Sequence, residues 1–167
     1  MAVNSQHPEY EASLVIWSKI RDVIRGEDAI HKGGEKYLPK LSGQDDVQYR
    51  SYVNRAGFYN ATGRTVEGLT GMIFRKEPVL VVPDSLKDFL QDVTLDGMSF
   101  NSFAKKGVKE LVSIGRVGVL VDYPEAEEGL VTQGQVEAKN LRPFWRLYDT
   151  ESIINWRVEF VNNLAQL

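Results

Sequence analysis

The chain has 167 residues, 43% of them hydrophobic and 10% aromatic, which suffices for one buried core and excludes a largely disordered protein. Its 20 basic and 23 acidic residues leave a net charge of -3, which argues against gripping nucleic acid by neutralising many phosphates. The absence of cysteine excludes disulfides, thiolate zinc sites and a cysteine nucleophile, and two histidines leave little room for imidazole chemistry.

The start, MAVNSQHPEY, has no basic region followed by an apolar block, and the longest aliphatic run, around Gly118, is far below membrane-spanning length. These features predict a chain that works in the cytosol or assembles from it, with no membrane partner. From Pro8 to Arg25, Tyr10, Leu14, Trp17, Ile20 and Ile24 recur in steps of three and four and predict an amphipathic helix. Gly26 is placed to end it in a left-handed conformation. The following EDAIHKGGEKYLPKLSGQ, with Gly33, Gly34, Pro39 and Gly43, reads as a long surface loop without regular structure.

From Asp45 to about Phe74 the helical pattern returns. Tyr52, Ala56, Tyr59, Gly63, Val66, Thr70 and Ile73 form a narrow seam spaced by fours and threes, expected to pack within or between subunits. Gly57, Gly63, Gly68 and Gly71 each cost about 1 kcal/mol relative to alanine, so the helix needs a close-packed partner or a break near Gly63. On an unbroken helix Arg50, Arg64 and Arg75 lie nearly on one face, a solvated basic ridge or, as the weaker reading, a phosphate-facing one.

Pro78-Val-Leu-Val-Val-Pro83 reads as an edge strand bounded by prolines, followed by a short helix from Asp84 or Ser85 through Leu90 that closes near Gly97. Ser99 to Ile114 is a second amphipathic helix with Phe100, Phe103, Ala104, Val108, Leu111 and Val112 inward, ended by Gly115. Val117 to Val121 is apolar without alternation, as for a central strand covered on both faces. The acidic stretch after Pro124 is expected to be exposed, with Thr132 and Gln135 able to cap a short helix. Phe144 to Tyr148 and Ile154 to Phe160 read as further strands, and Asn162-Asn163 as a hairpin turn into Leu164 to Leu167, as if the chain were cut in mid-hairpin.

These elements predict a helix-rich α+β fold with a small mixed sheet. It is organised as an N-terminal helix and loop (residues 1–44), a glycine-interrupted long helix (45–76) and an α+β portion (77–167), all in one domain. No residue set converges on a catalytic, cofactor or metal site. In Gly115-Arg-Val-Gly118 the order is helix, glycines, strand, the reverse of a phosphate-binding loop, and no GxxxxGK[ST] occurs. Asp45-Asp46 and Glu127-Glu128 are neighbours that point apart. Asp122 has no paired acid or base, and His7 and His31 lack metal-pair spacing. A structural protein, not an enzyme, is therefore expected.

Four ordered blocks, HKGGEKYLPKLSG, FYNATGRTVEGLTGMIFRKEP, GRVGVLVDYP and LRPFWRLYDTESIINWRVE, together resemble a family of tailed-phage and prophage proteins that looks like portal proteins. The resemblance implies a wing-like domain in a subunit of a closed ring, typically a dodecamer, at one capsid vertex. It also implies partners: the terminase large subunit during packaging, a head-tail adaptor afterwards, the major capsid protein, and double-stranded DNA passing through without sequence specificity. The implied location is the virion, with the host cytoplasm during assembly. A near-neutral or acidic conduit suits DNA that must slide. Family members are much longer, and the clip, tunnel helix and crown have no counterpart in these residues. The alternatives are another head-tail connector or minor virion protein, or a nucleotide-binding enzyme domain centred on Gly115 to Asp122.

Overall fold

The computed structural model describes residues 4–124, 134, 141–157, 159–161 and 164–166. Glu127-Glu128, the Thr132–Gln135 cap and the Asn162-Asn163 turn lie outside the described residues. The chain is helix-rich α+β, as expected. It forms two compact units where the sequence predicts one domain: residues 1–72, 112–114 and 154–167, and residues 73–111 and 115–153.

In the first unit, α1 (Tyr10–Arg25) ends at Gly26, whose φ of 90° and ψ of -154° lie in a region open to glycine, outside the expected left-handed helical one. The predicted loop then proves helical in its first half. α2 (Glu27–Gly33) has Glu27 and Asp28 in its first turn and His31 and Lys32 in its last, charges that complement the helix dipole. Gly33 and Gly34 end that helix and do not dissolve the whole stretch. Lys36 and the Tyr37 hydroxyl both donate to the Asp22 carboxylate, at 3.0 and 2.6 Å. The Tyr37 hydrogen bond, with Lys36 beside it, holds Asp22 below the usual carboxylate range.

The long helix predicted over residues 45–76 is two helices. α3 (Asp46–Arg55) starts with a capping box in which Asp45 accepts the Gln48 amide at 2.7 Å and Gln48 accepts the Asp45 amide at 3.1 Å. α4 (Ala61–Ile73) follows a five-residue break. Backbone groups that a continuous helix would pair internally are satisfied elsewhere across this break. His31 Nε2 donates to the Ala56 carbonyl at 2.7 Å, the Phe58 amide donates to Glu27 at 3.1 Å, and the Asn60 side chain donates to the Ile24 carbonyl at 2.8 Å. Near the C-terminus of the same unit, the His7 amide donates to the Ile154 carbonyl at 2.9 Å and the His7 and Trp156 rings stack at 4.0 Å. The strand predicted over Ile154 to Phe160 is irregular through Arg157. β3 (Glu159–Val161) then pairs antiparallel with β4 (Leu164–Gln166).

In the second unit, Pro78 to Pro83 has no regular structure and pairs with no strand among the described residues, and the helix expected after it is two single 3-10 turns, Asp84–Leu86 and Phe89–Gln91. α5 (Phe100–Ile114) is capped by Ser99 and ends at Gly115, whose φ of 92° puts it in the left-handed region. β1 (Gly118–Asp122) and β2 (Phe144–Tyr148) form an antiparallel pair in the register Val119↔Leu147 and Val121↔Trp145. The sheet is thus antiparallel, not mixed, and among the described residues β1 is an edge strand instead of a covered central one. Four of its five residues are exposed.

The core of the second unit gathers on Trp145, which the rings of Phe89, Phe100 and Phe103 approach at 5.4 to 6.0 Å. Val93 is fully buried, and its carbonyl accepts the Trp145 amide at 2.7 Å. Its loop is organised by Asp92, which accepts the Thr94 and Gly97 amides and pairs with Arg142 at 2.8 Å. At the other end of the sheet, buried Thr150 donates to the Arg116 carbonyl at 2.5 Å, and the Arg116 guanidinium donates to the carbonyls of Thr150 and Ile153.

Candidate functional site

The predicted seam is only partly brought together. Gly63, Val66 and Thr70 are buried along one face of α4, and the Thr70 hydroxyl donates to the Val66 carbonyl at 2.7 Å. Tyr52 and Ala56 are half-buried at the end of α3. Tyr59 and Ile73 are 72% and 55% exposed, so they do not belong to the packed face. The break at residues 56–60 changes the helix phase, which is why a seam counted through it does not close.

The basic residues are likewise separated. Arg50 lies on α3 and donates from Nε to the Asp46 carbonyl, whereas Arg64 on α4 lies 4.9 Å from the Tyr59 ring centroid. Arg75 is exposed beyond the end of α4. With two helices instead of one, the shared face assumed for these three residues no longer follows from their spacing.

Gly63 has a specific packing reason. A Cβ at this position would lie 2.6 Å from Asn60 Nδ2, and one at Gly26 would lie 3.0 Å from the same atom. The Asn60 amide therefore sits between two glycines, accepting the Gly63 amide at 2.7 Å while donating to Ile24. No neighbouring atom lies within 4 Å of a Cβ built at Gly57, Gly68 or Gly71.

The segment Gly115 to Asp122 carries no convergent chemistry. Gly115 closes a helix C-terminus, so no helix-start amides face a phosphate there. Arg116 is committed to main-chain carbonyls, and Asp122 accepts the following Tyr123 amide at the exposed end of β1. Among the described residues, no group of acids and histidines is arranged to hold a metal ion. No helix among them is long and apolar enough to cross a membrane.

What the second unit offers instead is apolar surface. A cavity of about 900 Å³ is lined by Leu80, Val82, Leu86, Phe89, Arg142 and Trp145. A second, shallower groove of about 330 Å³ lies between α5 and the sheet, bounded by Phe103, Val108, Leu111, Val119, Val121 and Leu147. Val79 and Val81 are 91% and 95% exposed, and Val119 and Val121 are 53% and 60% exposed. The sequence signals for these surfaces are the runs PVLVVP and GVLVD, whose unbroken apolarity suggests burial that the single chain does not supply.

No protein-family model matches the chain, and no curated protein sequence matches it.

Proposed function

We propose that this chain is a structural, non-enzymatic segment of a phage portal subunit, working as one copy in a ring at the capsid vertex. The observation that carries the reading is the apolar surface left uncovered on separate elements. Val15 and Ile16 on α1, Met72 on α4, Val79 and Val81 in the Pro78 to Pro83 segment and Val119 to Val121 on β1 are all exposed. Within the second unit, runs of such side chains at Val79 to Val81 and Val119 to Val121 are of the kind that a partner covers. Such a subunit docks terminase during packaging and a head-tail adaptor afterwards, is seated in the major capsid protein, and lets DNA pass through the ring.

The net charge of -3 fits a conduit that does not hold the duplex by counterion release. The arrangement around Gly115 to Asp122 favours a structural turn over a nucleotide site, because its one guanidinium is engaged by the fold.

Electron microscopy of the full-length gene product tests the reading. Annular particles with a central hole are expected; a monomer at every concentration that turns over a metabolite would overturn it.

A further inference from the structure

We propose that the segment Pro78 to Pro83 of one copy adds as an antiparallel third strand to the open edge of β1 in the next copy, in the register Val79↔Val121 and Val81↔Val119. The partner rests on the portal-ring reading, since it is a second copy of this chain. The contact itself follows from the backbone.

The Trp145 amide donates to Val93, on the side of β2 that faces away from β1. Opposed residues in an antiparallel pair alternate between hydrogen-bonded and non-bonded. Val121↔Trp145 and Val119↔Leu147 are therefore non-bonded pairs, and the N–H and C=O groups of Val119 and Val121 point out of the open edge. Among the described residues the sheet has two strands, and none of them pairs with that edge. The same unit carries an exposed apolar segment, bounded by prolines and outside any helix or strand, so a donor and an acceptor for strand addition lie on one chain.

Three features fix direction and register. Placing Val79 and Val81 opposite Val121 and Val119 matches two complete backbone residues on each side. Pro83 then falls opposite Val117 and ends the ladder, because it has no N–H to donate. The charges favour the antiparallel sense: the same register brings Lys76 diagonally to Asp122, whereas a parallel strand would bring Asp84 towards Asp122.

The side chains agree as well. Val119 and Val121 share the face of the sheet that carries Trp145 and Leu147 and borders the α5 groove. Cross-strand partners lie on one face, so Val79 and Val81 would extend this apolar surface and lose their exposure. The two surfaces of the contact differ, so it is head-to-tail and closes into a ring if its rotation permits.

These 167 residues contain no cysteine, and any elsewhere in the full-length product is first replaced by serine, which makes the test direct. In the proposed register Leu80 and Leu120 form a non-bonded pair with Cα atoms about 4.5 Å apart, within disulfide reach. Full-length Leu80→Cys and Leu120→Cys proteins are mixed and oxidised. The expected result is a cross-link formed by the mixture in at least tenfold excess over either variant alone, and abolished when Val79→Asp and Val81→Asp are added to the Leu80→Cys chain. Both valines are over nine-tenths exposed, so the aspartates leave the subunit folded. No excess cross-link in the mixture, or equal cross-linking by Leu80→Cys alone, overturns the contact. Annular particles without the cross-link reject this strand addition and leave the portal reading intact; cross-linked open filaments without annuli support the strand addition and reject the ring.

Discussion

Asn60 Nδ2 donates to the carbonyl oxygen of Ile24, 2.8 Å away, and so joins the start of α4 to the end of α1. The same side chain caps α4 through the Gly63 amide. Replacing Asn60 by alanine removes a cap and leaves a part-buried carbonyl unsatisfied, a loss of about 2 kcal/mol. Asn60→Asp keeps the cap but not the donor and should fall between the two. Amide hydrogen exchange along α4 checks this, with protection falling in the order wild type, aspartate, alanine.

The glycines of α4 should divide by environment. Gly63→Ala forces a Cβ into the Asn60 amide and is expected to destabilise by about 1–3 kcal/mol. Gly68→Ala and Gly71→Ala meet no neighbouring atom and should each stabilise by about 0.5–1 kcal/mol through helix propensity. Urea unfolding of the three variants decides the point, and equal effects at all three would contradict the geometry.

Asp22 is the acid-sensitive tether of the first unit. Its pKa is lowered in the folded state by the Tyr37 hydrogen bond first and by Lys36 second. A depressed folded value contributes stability that is complete above the ordinary aspartate value of about 3.9 and is lost as pH falls below it through the folded value. Asp22→Asn should lower the melting temperature near neutral pH and flatten its dependence below about pH 4. Parallel melting curves for the variant and the parent across that range would show that the tether carries no proton linkage.

Thr150 is fully buried and its hydroxyl donates to the Arg116 carbonyl, joining the turn after α5 to the residues beyond β2. Thr150→Val keeps the shape and removes the donor, with an expected loss of about 1–2 kcal/mol. Thermal denaturation measures the loss, and Thr150→Ser, which retains the hydroxyl, should recover part of it.

Elements whose signals are local were legible in the residues alone. Apolar spacing from Tyr10 to Ile24 and from Phe100 to Val112 marked α1 and α5, Asp45 marked the start of α3, and Gly115 marked the end of α5, because periodicity and capping act within a few residues. Only the tertiary structure decided where the long helical pattern breaks. His31, Glu27 and Asn60 reach residues 56–60 or depart from them over 25 to 36 positions, and no local pattern encodes those hydrogen bonds. The same holds for β1: GVLVD has the composition of a covered strand, yet among the described residues one of its edges has no partner, because strand coverage depends on what packs alongside and not on the strand's own residues.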